Sequence, residues 1–315
     1  MGDFTHFSKI AGVNGLYEGT YGEEVRVYGV QMGDGTRFYV DSVNGSASNT
    51  GLSWDTALIT IDAAINKCTA NAGDIIYVAA GHVESIVGTS ITADIAGITI
   101  IGLGKGSRQA QVTYDLAAAE ISIAADNVTI SGLRLSASVP DTLVGIEIED
   151  GIDYAAIVGN TFDVVTTGTD EFAVCVRTND ASNFALVEDN DIDMGLGNAV
   201  AAVSFTKDTN GTVVRNNRIQ GAFSTANIQG ITTASTKVLI ENNLLVNGGA
   251  KALNTEPCIQ LLTNSTGVIR DNDVVTNLAT MVAAVVADGC MLFRNYYNED
   301  VQGTGTILGT ASADD

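Results

Sequence analysis

The chain has 315 residues, 45% of them hydrophobic and only 17% charged, with a mean hydropathy of +0.20. The 15 Lys and Arg stand against 37 Asp and Glu, giving a net charge of −22 and a pI near 4.1. Such a surface repels nucleic acid and anionic membrane, and no apolar run reaches the roughly 18 residues of a membrane span, so neither is an expected partner.

Cys68, Cys175, Cys258 and Cys290 form no CxxC pattern, and His6 and His82 are the only histidines. A zinc site is therefore not expected, and the apolar neighbours of the cysteines predict buried thiols. The stretch Met1 to His6 carries neither the basic nor the apolar region of a secretory signal.

Residues 1–37 scatter large apolar side chains, among them Phe4, Phe7, Ile10, Leu16, Tyr17 and Tyr21, between eight glycines. The segment is too apolar for a solvated tail and too Gly-rich to form a core alone. It reads as a partner-binding arm that orders against the flank of its own domain or against another subunit. Residues 38–52 pass from a strand into a polar Gly/Asn/Ser loop. Ile61, Ala64, Ile65 and Cys68 then recur at i, i+3, i+4 and i+7, which predicts a helix over about 59–70. With Trp54, that helix is expected to cover the open end of the domain formed by the rest of the chain.

Beyond the helix one phrase keeps returning: apolar, polar, polar, Asn, polar, apolar. Clear copies are Val187-Glu188-Asp189-Asn190-Asp191-Ile192 and Val214-Arg215-Asn216-Asn217-Arg218-Ile219, and the copies around Asn243 and Asn272 read alike. Looser ones surround Asn160 and Asn295, while Leu103 and Leu133 stand at the same place in two earlier copies. Anchors at 103, 133, 160, 190, 217, 243, 272 and 295 are separated by 30, 27, 30, 27, 26, 29 and 23 residues. A period of this size marks a unit that must stack on its neighbours to bury its apolar face. The segments are short, rich in Val, Ile and Thr, and bounded by Gly, Asn and Asp, so the unit is built of strands and turns. The L-x-x-L-x-L spacing of leucine-rich repeats is missing. A parallel β-helix over residues 38–297 is predicted, with a C-terminal tail at 298–315.

Stacking gives the Asn column a purpose. Asn160, Asn190, Asn217, Asn243, Asn272 and Asn295 are expected to form an interior ladder, each amide donating to the next carbonyl, because an unpaired buried amide is costly. Two positions before the Asn, Glu188, Arg215, Glu241 and Arg270 alternate in sign and predict an outer salt-bridge ladder. The acidic candidates for chemistry, Asp163, Asp189, Asp191, Asp193, Asp271 and Asp273, fall at turns, where Asp bonds its own backbone. His82 beside Glu84 reads as an ordinary turn residue, and Gly102-Leu103-Gly104-Lys105-Gly106 as a corner rather than a phosphate loop. No catalytic, metal or cofactor site is expected on this reading.

The phrase Tyr39-Val40-Asp41, Asn49-Thr50-Gly51-Leu52-Ser53-Trp54, Thr60-Ile61-Asp62-Ala63-Ala64-Ile65 and Gly73-Asp74-Ile75-Ile76-Tyr77-Val78-Ala79-Ala80-Gly81 resembles the N-terminal signature of right-handed parallel β-helix proteins of the pectate-lyase-like superfamily. The resemblance implies an all-β, single-stranded right-handed parallel β-helix with an N-terminal capping helix. In that superfamily a lyase would carry an Asp/Glu set for calcium beside Arg or Lys on one outer face, and a hydrolase two or three convergent acids. The arm resembles those of small structural proteins of tailed-phage particles. The resulting expectation is a non-enzymatic capsid decoration (cement) protein on the virion surface, a homotrimer whose arm anchors on viral capsid subunits. The alternative is a tailspike-like β-helix that binds or depolymerises polysaccharide.

Overall fold

The structure is a computed structural model and describes residues 35–88, 90–165, 170–195, 199–248, 256–276 and 284–297, with 304–307 as a backbone strand. The chain is a right-handed parallel β-helix with very little helix. The expected arm lies outside the described residues except for its last few positions, as does the tail apart from 304–307.

Each coil carries three strands, well illustrated by Leu186–Glu188, Asp191–Asp193 and Ala199–Phe205. The first stack runs from Arg37–Val40 through Ile75–Val78, Thr99–Gly102 and Ala156–Val158 to Gly267–Arg270. The second is a nine-stranded sheet from Val83–Ile86 to Tyr296–Tyr297. The third runs from Ile91–Ala93 through Ile121–Ile123, Thr142–Ile148, Phe172–Thr178, Ala199–Phe205 and Phe223–Gly230 to Ile259–Leu261. The long strand Val285–Phe293 joins the last coil of the first and third stacks.

The repeating phrase is the corner between the first and second stacks. Its apolar ends face the core: Ile157, Val187, Val214, Ile240 and Ile269 on one side, Phe162, Ile192, Ile219, Leu245 and Val274 on the other, all buried. The residue just before each Asn is left-handed, with φ of 55° at Asp189, 57° at Asn216, 55° at Asn242 and 56° at Asp271. Asp, Asn and Gly tolerate that conformation, which explains why the corner is written in those residues.

At the N-terminal end the helix is Ile61–Ile65, shorter than the predicted 59–70. Thr60 Oγ1 caps it by accepting from the Ala63 N–H at 3.2 Å. Its far end is pulled away by the next coil, since the Asn71 N–H donates to Ala96 O at 2.7 Å. Trp54 packs edge-on against Tyr39 with ring centroids 4.7 Å apart and is 43% exposed, so it only partly covers the end. His82 is not an ordinary turn residue. Its buried ring accepts from the Ser42 N–H at Nδ1 (3.0 Å) and meets Glu84 Oε2 through Nε2 (3.1 Å). Glu84 Oε2 also accepts from the Ile61 N–H at 2.9 Å, so one His–Glu pair ties the entry loop to the helix.

Cys175, Cys258 and Cys290 are buried and Cys68 half-buried, all four as free thiols. Around the middle coils the core holds aromatic rings. Tyr114 lies edge-on to Phe172 at 4.8 Å, and its hydroxyl donates to Gly145 O at 2.8 Å. A Cβ on Gly145 would stand 2.6 Å from Cys175 O and 3.1 Å from the Phe162 ring. Glycine there lets the Phe162 ring fill the interior beneath the strand Thr142–Ile148, which carries Glu147 on its outer face.

Candidate active site

The Asn residues form one vertical column. Asn160 Nδ2 donates to Asn190 Oδ1 at 3.2 Å, Asn190 Nδ2 to Asn217 Oδ1 at 3.0 Å, Asn217 Nδ2 to Asn243 Oδ1 at 3.0 Å, and Asn243 Nδ2 to Asn272 Oδ1 at 2.9 Å. Asn272 Nδ2 reaches Asn295 Oδ1 at 2.9 Å. Each carboxamide oxygen also accepts the backbone N–H of the residue at the same place in the coil before it, Leu133 for Asn160 and an Asn for the rest, and each Nδ2 also donates to a carbonyl one coil earlier, as Asn190 does to Ile157 O. Glu188, Arg215, Glu241 and Arg270 are neighbours in register but close into two pairs rather than a continuous ladder: Glu188–Arg215 at 2.7 Å and Glu241–Arg270 at 2.6 Å. These residues hold register, and no substrate chemistry converges on them.

The turn acids stay apart. Asp191 and Asp273 share a column but are separated by Arg218 and Leu244. Asp191 is taken by Arg218 at 2.6 Å, and Asp163 by Arg134 at 2.7 Å. Asp189 and Asp271 serve as left-handed corner residues.

The convergent cluster lies on the third stack. Register places Thr92, Ser122, Glu147, Arg177, Ser204, Gln229 and Gln260 in one outward column. Their neighbours on each strand, such as Ile146, Ile148, Val176, Val203 and Ile228, belong to the core. Glu120 sits two residues before Ser122, and Glu149 two residues after Glu147. Carboxylate oxygens of Glu120, Glu147 and Glu149 all lie within 4.8 Å of one another.

Arg177 grips Glu147 with two bonds, Nε to Oε1 at 3.0 Å and Nη2 to Oε2 at 2.6 Å, and Asn179 Nδ2 also donates to Glu147 Oε1. Thr206 Oγ1 steadies Asn179 by donating to its Oδ1 at 3.0 Å. Ser122 Oγ donates to Glu149 Oε1 at 2.8 Å. Burial, then the hydrogen bond and negative charge of Glu147, push the Glu120 carboxyl up to about 7. Burial acts the same way on Glu147, but the hydrogen bonds from Arg177, Glu120 and Asn179 outweigh it and bring that carboxyl below its ordinary value. Two adjacent carboxyls are thus pushed apart, one holding its proton and one ionised, which is the pattern of acid–base sites.

The three acids have the all-oxygen character and span of a hard-cation site. The hydrogen bonding does not fit that use. Both Glu147 oxygens already serve the guanidinium.

The corner phrase does not carry this cluster, because its acids come from segments of the third stack that do not repeat the phrase. The available signal was strict alternation, Ile146-Glu147-Ile148-Glu149 and Ala119-Glu120-Ile121-Ser122-Ile123, which marks those glutamates as outward on a buried strand.

No protein-family model matches the sequence, and no curated protein matches it. Among solved structures, the chain is similar to the PL6-family alginate lyase AlyGC, at 15% identity and a TM-score of 0.46, over 88% of this chain and 39% of that one. It is similar to the pectate lyase Pel9A, at 14% identity and a TM-score of 0.43, over 84% and 72% of the two chains. An alginate lyase from Paenibacillus sp. str. FPU-7 aligns at 14% identity with a TM-score of 0.41, covering 78% of this chain and 94% of that one. Likeness at these identities concerns the fold alone. The expectation of a non-enzymatic protein is nonetheless corrected. It rested on the absence of a convergent acid set, and an acid–arginine cluster of Glu120, Glu147, Glu149 and Arg177 is present on the third stack. The comparisons lend nothing to the capsid reading.

Proposed function

We propose that this β-helix binds and depolymerises polysaccharide, cleaving glycosidic bonds at Glu120 and Glu149 with Glu147 and Arg177 in support. The observation that carries the reading is the Glu120 carboxyl, kept protonated to about 7 next to an ionised, doubly held Glu147. One oxygen from each acid lies within 4.8 Å of the others, which leaves less room than the roughly 6.5–9.5 Å that inverting glycosidases use to admit a water, and so favours the retaining route.

In the first step Glu120 gives its proton to the glycosidic oxygen as the bond to the anomeric carbon breaks. The Glu149 carboxylate, oriented by Ser122, attacks that carbon from the opposite face and forms a glycosyl ester. In the second step the Glu120 carboxylate takes a proton from water, whose oxygen displaces Glu149. The sugar leaves with its configuration retained. Glu147 touches neither reacting bond; its charge holds the proton on Glu120, and Arg177 holds Glu147.

Purified protein assayed for new reducing ends against neutral and acidic polysaccharides tests this directly. Cleavage should persist in the presence of a calcium chelator and vanish in both Glu120→Gln and Glu149→Gln, with unchanged circular dichroism. Cleavage that survives in Glu120→Gln, or a wild-type protein that neither binds nor cleaves any polymer, would refute the proposal.

A further inference from the structure

Register on the first stack lines up Ala156, Leu186, Val213, Leu239, Val268 and Met291, one from each of six successive coils. The residue after each of them belongs to the core, so these six face outward. Five are half-buried and Met291 is 39% exposed. The outer face of a sheet open to water ordinarily carries polar side chains, as the second stack does with Gln111, Arg134, Thr161, Asp191 and Arg218. An unbroken apolar row departs from that pattern, and contiguous apolar surface marks a place where something docks. The Glu188–Arg215 and Glu241–Arg270 pairs flank the row and cancel, so this face is nearly neutral on a molecule of net charge −22. At the C-terminal end Leu239, Val268 and Met291 line a cavity of about 570 Å³ together with Lys237, Gly267 and Gly289. A Cβ on Gly267 would stand 2.1 Å from Val238 O and one on Gly289 2.1 Å from Ser265 O, so the wall at both places is bare backbone. Lys237 is exposed and forms no ion pair with any described residue.

The chain itself supplies an occupant. The described residues begin at Gly35, and Thr36 leads straight into Arg37–Val40, the first strand of the same stack. Residues 1–34 are therefore joined to the rod at the head of the face that carries the row. Nine coil steps separate that strand from the one holding Met291. At about 4.8 Å each they amount to about 43 Å, whereas a segment of this length can span up to about 110 Å. Its composition fits the face. Phe4, Phe7, Ile10, Leu16, Tyr17 and Tyr21 are apolar anchors for the row, and Glu18, Glu23 and Glu24 beside the tyrosines suit Arg37 and Lys237. Elsewhere the segment, with five acids against two bases, meets an acidic surface that repels it. A second copy would have to bring its own −22 to the contact, while a tethered segment acts at an effective concentration near millimolar.

We infer that residues 1–34 dock along this face of their own chain, with an aromatic side chain seated in the cavity and acids of the segment beside Lys237. Docking takes the apolar row out of water, which is the term that drives it. The row lies on the first stack and the acid cluster on the third, so the inference is independent of the proposed polysaccharide activity.

The test uses the full chain with the photoreactive residue p-benzoylphenylalanine at one of two positions. One is Leu239 in the row, and the other is Val275, an outward residue of the second stack that is 36% exposed. Each is mixed with a heavy-nitrogen copy of the chain, irradiated and read by peptide mass spectrometry. Leu239 should cross-link to residues 1–34 of its own chain on the order of tenfold more than Val275 does. Val268→Asp sets a carboxylate in the covered row against an acidic segment and should lower that yield on the order of tenfold, with unchanged circular dichroism. Should Val268→Asp fold poorly, Lys237→Glu at the exposed edge supplies a second variant and should lower the yield severalfold. Cross-links that join light to heavy chains would put a second copy on the face and overturn the inference. So would cross-links from Leu239 to other segments alone, equal yields at Leu239 and Val275, or a yield that neither charge variant lowers. None of these outcomes bears on the cleavage assay.

Discussion

Asn190 Nδ2 lies 3.0 Å from Asn217 Oδ1, and the same oxygen accepts the Asn190 backbone N–H at 2.9 Å. One side chain therefore satisfies two donors of the coil above it, while its own Nδ2 donates to Val187 O at 2.9 Å. Asn217→Ala leaves the Asn190 N–H and the Val187 carbonyl without these partners. At about 1–3 kcal/mol for each buried orphan, a loss of about 2–6 kcal/mol is expected by urea denaturation. Asn295→Ala, at the half-buried end of the column, should cost clearly less. Equal losses at both sites would mean that the column does not carry the stability assigned to it.

Tyr154 and Phe184 stack with centroids 5.0 Å apart, and both are left-handed, at φ 61° and 56°. Neighbouring coils place Asn127 and Gly211 at the equivalent position. Gly211 has φ 72°, and a Cβ there would stand 2.7 Å from the Phe184 ring. Gly211→Ala should destabilise by about 1–3 kcal/mol through combined strain and displacement. Tyr154→Asn, at an exposed site whose backbone prefers Asn, should cost no more than about 0.5 kcal/mol. Thermal denaturation of the two variants separates these outcomes.

Two arginine pairs of similar length should behave differently. Arg218–Asp191 spans 2.6 Å, but its side chains are 46% and 55% exposed, so Arg218→Ala should change stability by about 0–1 kcal/mol. Arg177–Glu147 also spans 2.6 Å, with Glu147 only 8% exposed. Arg177→Ala leaves a nearly buried carboxylate beside Glu120 and Glu149, and a loss of about 2–4 kcal/mol is expected. The double variant Arg177→Ala with Glu147→Gln should recover part of it.

The pH dependence originates in Glu120. Its folded carboxyl stands at about 7 against an ordinary 4.5, so between those values the folded protein holds a proton that the unfolded chain has released. The group thus favours the fold at low pH, and that contribution is lost as pH rises towards about 7. Glu120→Gln removes the titration, so its melting temperature relative to wild type should rise between about pH 5 and about pH 8. Cleavage by the wild type should fall above about pH 7 as the acid loses its proton. A flat melting difference would show that Glu120 is not perturbed.

His82→Ala removes the acceptor of the Ser42 N–H and the partner of Glu84, and it opens a cavity at a buried site. A loss of about 2–4 kcal/mol is expected, concentrated at the N-terminal end. Hydrogen exchange should show the segment from Arg37 to Ile65 losing protection before the coils that carry the Asn column.

The corner was legible because it is local. A left-handed residue is most easily supplied by Asp, Asn or Gly, the next position needs an amide, and the flanking positions need apolar side chains, all within six consecutive residues such as Val187 to Ile192. Repetition of that phrase set the period, and the period set the architecture. Glu188 and Arg215 were legible as neighbours for the same reason. Their closure into pairs was not, because Arg215 stands between Glu188 and Glu241 and only side-chain geometry chooses one of them.

The sequence by itself determined the coil: where it bends, what lines its interior, and that successive coils stack. Only the tertiary structure decided which outward residues meet. Glu120, Glu147 and Arg177 are separated by 27 and 30 residues and lie on strands of unequal length with irregular loops between them. Stacking register, not sequence spacing, brings them together.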